Sequence, residues 1–190
     1  MTLNDYINEA LLRVPTAITL PQATIISAVN DARSELSLIT NPALTITGVP
    51  LVAGQMSYAY PTSSTYTVTG IKRIWVYLGT ERYEIKRRPM GKYEISGLQA
   101  YPAYYYIENG SVYFYPVPSS DYETDWEVSS IPNPLVNTTD TESYIPAPYI
   151  YALNFLIAAY VSIYDTKVQL SQAYRQMYQN FLGSLNKGDM

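Results

Sequence analysis

The chain has 190 residues, the size of one ordinary domain or one domain with appendages, and contains neither Cys nor His. That excludes thiolate and imidazole zinc sites, Ser-His-Asp triads, cysteine nucleophiles and histidine proton relays together. Hydrophobic content of 47% with 21 Tyr excludes disorder, while 15% charged residues is low against the usual ~25%.

Thr2 followed by Asp5 reads as a helix N-cap with a capping-box acid. Leu3, Tyr6, Ile7, Ala10, Leu11 and Val14 then recur at helical spacing until Pro15. A second helix is predicted from about Pro21 to Ile39, with Ile25, Ile26, Val29, Ala32, Arg33 and Leu36 on one stripe and Asn41-Pro42 closing it. From Leu44 the period changes to two. Leu44, Ile46 and Val49 form a first run, and Met56, Tyr58 and Tyr60 a second.

Ile71–Leu78 reads as a strand turning at Gly79-Thr80 into Arg82–Arg87. Asn109-Gly110 predicts a type I′ hairpin joining Tyr104–Ile107 to Val112–Tyr115. A turn at Pro116–Asp121 leads into a strand over Tyr122–Ser130, where Asp121, Glu123, Asp125 and Glu127 share one face. That acidic side is expected to face solvent, opposite Tyr122, Trp126 and Val128.

Residues 131–145 have no period and read as a linker. Helix returns near Pro146 with Ile150, Leu153, Ile157, Tyr160 and Tyr164. Asp165-Thr166 is expected to break it and cap a last helix bearing Leu170, Tyr174, Met177, Phe181 and Leu185; the end, from Asn186 with Gly188, should fray. Ala147–Tyr164 carries no charge but includes Pro148 and Asn154, so it is read as a buried helix and no membrane span is expected. No basic segment precedes a compact apolar run near the start, so no secretory signal is expected.

Helices, then at least five strands, then helices give an α+β fold. It comprises a helical bundle formed by the N- and C-terminal helices and a central antiparallel β lobe. The expected divisions are 1–42, 43–130, 131–145 and 146–190, with the first and last packed as one helical part.

The net charge of −4 is unevenly spread. Lys72, Arg73, Arg82, Lys86, Arg87, Arg88 and Lys92 outnumber Glu81 and Glu84. By contrast, residues 121–142 hold Asp121, Glu123, Asp125, Glu127, Asp140 and Glu142 with no basic residue. Two readings stand: solvated sheet faces, or blocks that meet head to tail between identical subunits. There is no Gly-rich phosphate cradle, and the carboxylate row lacks the turn geometry of a calcium loop or the separate segments of a glycosidase pair. No catalytic residue, metal or cofactor is assigned. Trp75 and Trp126 among clustered Tyr leave an alternative, a carbohydrate-binding or tail-fibre-type β module that stacks on sugar rings. A hydrolase built on Asp or Glu would need two convergent carboxylates in a pocket.

Four stretches resemble the head-to-tail adaptor (connector) proteins of tailed bacteriophages. They are the helix Ile25–Leu36 with Ala28-Val29-Asn30-Asp31-Ala32, and Val52-Ala53-Gly54-Gln55 followed by Tyr58, Tyr60 and Pro61. The others are Tyr105-Tyr106-Ile107 through Asn109-Gly110 to Pro118, and Tyr144-Ile145-Pro146 opening a helix with Tyr149. The excess of Tyr and the presence of Pro148 depart from that pattern. The resemblance implies a non-enzymatic virion protein at the head–tail junction, made in the host cytoplasm. It would form a ring, typically a dodecamer, between the portal protein and a tail or neck protein, with DNA passing through the lumen without sequence-specific binding. Lys72, Arg73, Arg87 and Arg88 are the expected subunit contacts, and Phe181 and Leu185 the expected portal-docking residues.

Overall fold

The computed structural model describes residues 1–40, 44–89 and 98–186. Two compact units divide the chain: Met1–Thr40 with Pro132–Met190, and Asn41–Ile131. The fold is α+β as expected, a β lobe central in the sequence between N- and C-terminal helices.

The helical unit holds α1 (Leu3–Arg13), a 3₁₀ turn (Pro15–Thr19), α2 (Gln22–Thr40), a short 3₁₀ turn (Ala147–Tyr149), α3 (Ile150–Tyr164) and α4 (Val168–Asn186). The capping box forms: Thr2 N donates to Asp5 Oδ2 at 2.7 Å and Asp5 N to Thr2 Oγ1 at 3.2 Å. These bonds hold the Asp5 carboxyl below the usual carboxylate range. Asn41 and Pro42 lie outside the described residues, as do Gly188 and the rest of the tail beyond Asn186.

α3 packs against α1, α2 and α4. Ala152, Leu153, Leu156, Ala158, Ala159 and Val161 are fully buried, because a helix apolar all round is stable only when enclosed. Ala147–Tyr164 is long and apolar enough to cross a bilayer, and half of that window is buried within the protein.

Tyrosine hydroxyls tie α3 to α2. Tyr160 donates to Glu35 Oε2 at 2.6 Å and Tyr164 to Asp31 Oδ2 at 2.9 Å, so positions four apart on one helix meet positions four apart on the other. Arg175 of α4 adds a bond to Glu35 Oε1 at 3.3 Å. Burial, then the Glu35 bond, pushes the Tyr160 phenol up. Here Tyr does what Phe cannot. Tyr160→Phe should cost about 1 kcal/mol, read as a lower urea midpoint with an unchanged m-value; an unchanged midpoint would show that the bond adds nothing.

Asp165 ends α3, and Thr166, at φ 60°, turns the chain. The Asp165 carboxylate accepts from the Thr16 hydroxyl in the first 3₁₀ turn. Lys167 O accepts from Ser171 N at 3.0 Å, one turn into α4.

The aperiodic stretch after Ile131 is bound into the helical unit. Leu3 N and Asn4 N, free donors at the start of α1, bond to Asp140 O at 2.8 Å and Thr138 O at 3.1 Å. Glu142, grouped by sequence with an acidic and solvated block, is instead buried. Its carboxylate takes Arg33 Nε at 2.6 Å, Tyr144 N at 2.8 Å and Ile145 N at 3.0 Å. Only 3% of the Arg33 and 1% of the Glu142 side chain is exposed.

The β unit holds β1 (Leu44–Leu51), β2 (Ser57–Ala59), β3 (Tyr66–Leu78), β4 (Glu81–Arg87), β5 (Gln99–Ala100), β6 (Tyr104–Glu108), β7 (Ser111–Tyr115), β8 (Val117–Pro118) and β9 (Tyr122–Pro132, its last residue reaching the helical unit). Seven form a sheet in the order β1-β9-β3-β4-β6-β7-β2, and β5 pairs with β8. β4 and β6 are parallel over two residue pairs, Lys86–Tyr104 and Arg87–Tyr105. The expected hairpin turn has Asn109 at φ 49° and Gly110 at φ 75°, the paired left-handed conformation that favours Asn-Gly. β3 begins at Tyr66, ahead of the predicted Ile71. The core gathers Leu51, Ile74, Val76, Ile85, Tyr105, Phe114, Trp126 and Val128. Phe114 is its hub, with ring centroids 5.4 Å from Tyr58 and 6.0 Å from Trp126.

Candidate functional site

Alternation puts Arg73, Trp75 and Tyr77 on one face of β3, and register sets Arg82 opposite Tyr77 and Glu84 opposite Trp75 on β4. β9 lies on the other side of β3. Its carboxylates meet the same face. Asp125 accepts from Tyr77 OH at 2.7 Å and pairs with Arg82 at 3.1 Å, while Glu127 pairs with Arg73 at 3.3 Å.

The expectation of a solvent-facing acidic side is therefore corrected at Asp125, which is 4% exposed. The four carboxylates do alternate with Tyr122, Trp126 and Val128, but β3 and β4 cover part of that side. Two residues of the basic block and half of the acidic row thus meet within one chain. Lys86 also pairs locally, with Glu84 at 3.0 Å. Lys92 lies outside the described residues. The bond to Asp125 pushes the Tyr77 phenol up.

Neither tryptophan offers a clear stacking face. Trp126 is fully buried, its Nε1 donating to Thr124 Oγ1 at 2.7 Å. Trp75 is half-buried, with the Arg82 guanidinium 4.1 Å from its ring centroid and Arg73 at 5.9 Å. This removes Trp126 from the carbohydrate reading. Among the described residues, no group of three or more Asp or Glu is placed to hold a metal.

Among the charged groups outside this network are two clusters, at opposite ends of the strands. Arg87 ends β4 and Arg88 follows it. Both are exposed, and they line a recess of about 370 Å³ with Pro89, Tyr106 and Ile107. Arg88 lies 3.7 Å from the Tyr104 ring centroid, and its backbone N–H donates to Tyr105 O at 2.9 Å. Lys72, opposite them on β3, is half-buried.

At the other end, Asp121 and Glu123 are exposed where β9 begins, beside the loop after β1. That loop is firmly held. Tyr58 OH accepts from Val52 N at 2.7 Å and lies 3.2 Å from Val52 O and Gln55 O, while Asp121 Oδ1 accepts from Ala53 N at 2.8 Å. Gly54, at φ 77°, donates its N–H to Pro118 O at 2.8 Å. Burial pushes the Tyr58 phenol up, with the Asp121 charge adding to it. Nothing local in the sequence marks this loop as a site, because its bond to Asp121 reaches across 68 residues.

In the helical unit, Phe181 is half-buried, its ring centroid 5.1 Å from that of Tyr151, and Leu185 is also half-buried. Near the start of α4, Thr166, Lys167, Val168, Gln169 and Leu170 line an open recess of about 640 Å³.

No curated protein matches the chain. The model of the SU10 adaptor protein family matches residues 1–190, and the chain belongs to that family.

Proposed function

We propose that this chain is a non-enzymatic structural subunit of a tailed-bacteriophage virion, an adaptor that assembles as a homo-oligomeric ring between the portal and the tail or neck. The observation that carries the reading is the family match over the whole length. Three features support it. Among the described residues, no cluster of side chains has a catalytic arrangement. The tyrosines supply surface that tolerates both water and a partner, suited to interfaces burying about 1,200–2,000 Å². A net charge of −4 lets DNA phosphates pass without the counterion release that drives binding.

In this reading Lys72, Arg73, Arg87 and Arg88 lie at contacts between subunits, and the end of α4 with Phe181 and Leu185 docks on the portal. DNA passes through the lumen of a ring whose order is twelve. The test is to locate the chain in purified particles by antibody labelling and electron microscopy, together with the mass of the complex formed with portal protein. Label at a collar beneath the head, and a multi-copy complex, are the expected results. Particles whose collar carries no label, or a protein that never joins the portal, reject the assignment.

A further inference from the structure

Pairing within the β unit matches three of its cations to carboxylates and leaves charged groups at both ends of the strands. Arg73, Arg82 and Lys86 are matched by Glu127, Asp125 and Glu84. Among the described residues, no ion pair is made by Arg87, Arg88, Asp121 or Glu123. Register places the two sets far apart. Ile85 pairs with Ile74, so Arg87 lies level with Lys72, whereas Asp125 reaches Tyr77 and Asp121 lies beyond it. Along the strands that is roughly 30 Å at about 3.3 Å per residue. One chain cannot bring them together, but two copies in head-to-tail order can.

The two ends also differ in form. The acidic end carries the pinned Val52–Gln55 loop, whose Val52 is 46% exposed. The basic end is a recess with Tyr106 and Ile107 beside its two arginines. A loop held in one conformation by five or more hydrogen bonds loses little entropy on docking. An apolar tip flanked by carboxylates complements an aromatic-lined recess rimmed by guanidinium groups.

We propose that the Val52–Gln55 loop of one copy, with Asp121 and Glu123 beside it, docks in the Arg87/Arg88 recess of the next copy. This rests on the adaptor reading and supplies the heterologous contact that such a ring requires. Each subunit then uses both ends.

The test is charge exchange. One variant carries Arg87→Glu and Arg88→Glu. The other carries Glu123→Lys with Asp121→Asn, which retains the acceptor for Ala53 N. Sedimentation velocity over a concentration series reads association of the full chain. Each variant alone should need at least about tenfold more protein to associate than wild type, the loss expected when like charges face each other. An equimolar mixture should recover association, because alternating the variants makes every junction complementary again. Misfolded chains would not recover, so rescue separates a broken contact from a broken fold. The proposal is overturned if either variant associates like wild type, if the mixture does not recover, or if wild type stays monomeric throughout. In each case a chain still found in the collar of particles leaves the adaptor reading standing and removes only this contact.

Discussion

Glu142→Gln should destabilise the helical unit by about 3–5 kcal/mol, the loss that follows when one member of a buried ion pair is removed. Arg33 would keep its charge but lose its counter-charge: one carboxylate oxygen becomes an NH2 donor, leaving the neutral amide oxygen, the Asn30 side chain and Asn133 O as acceptors, the last two at 3.2 and 2.8 Å. Arg33→Met should do comparable damage, because it strands a carboxylate held only by Tyr144 N and Ile145 N. Pairing the two changes should recover part of the loss, since no charge is then buried without its partner and the amide oxygen of Gln can still accept from Tyr144 N and Ile145 N.

The pH dependence has a definite direction. Burial pushes the Glu142 carboxyl up, but the Arg33 bond and charge with the two backbone bonds outweigh it, so its pKa lies below the usual glutamate value. A depressed folded pKa contributes stability above the unfolded value, near 4.3, and loses it as pH falls through the folded value. Wild type should therefore lose helical stability as pH drops below about 4, whereas Glu142→Gln should be flatter through that window. The helical circular dichroism signal checks both. A fall in melting temperature of about 10 °C is expected at neutral pH. A melt matching wild type would show that the pair does not anchor the unit.

What could be read from the chain itself was local. Thr2 and Asp5 are three residues apart and complete their capping box without help from distant residues. Asn109-Gly110 selects its turn through the φ angles of two residues. The α3 pattern, apolar around its whole circumference, signals enclosure without naming its neighbours. Arg33 and Glu142, by contrast, are separated by 109 residues, and no periodicity links them. Arg33 sat on an otherwise apolar stripe, which signals a buried cation in need of a partner but does not say which carboxylate supplies it.

The acidic strand was half legible for the same reason. Period-two alternation places Asp121, Glu123, Asp125 and Glu127 on one side; Asp125 and Glu127 do meet β3 and β4 there, whereas Asp121 precedes the strand and holds Ala53 N. Whether that side meets water depends on which strands flank β9 and in what register. Arg82 and Tyr77 reach Asp125 because a two-residue turn folds β4 back beside β3, and β3 neighbours β9. The Val52–Gln55 loop stands out as a sequence pattern, and Tyr58 pins it locally, but its bonds to Asp121 and Pro118 come from residues that only the folded sheet brings near.

Trp126→Ala should lower the stability of the β unit by about 3–5 kcal/mol, the range for deleting a buried large aromatic side chain. The indole is fully buried, 6.0 Å from the Phe114 centroid, and surrounded by core from β1, β3, β4, β6 and β7. Its loss leaves a cavity and also takes a donor from Thr124 Oγ1, whose own proton stays engaged by Val49 O at 2.6 Å. Trp126→Phe keeps most of the volume and should cost less than half as much, so the difference between the two variants measures the cavity and not the indole N–H. The chain has two tryptophans. In either variant Trp75, on β3, becomes the sole reporter, and its fluorescence follows the β unit. The converse variant, Trp75→Phe, isolates Trp126. Its emission should be blue-shifted, protected from acrylamide and unchanged by added oligosaccharide, because a ring enclosed by Phe114 and the sheet has no face left for a sugar. Sugar-dependent quenching of Trp126 would contradict its burial and restore the carbohydrate-binding alternative. A Trp126→Ala protein melting with wild type would show that Phe114 and its aliphatic neighbours hold the sheet without it.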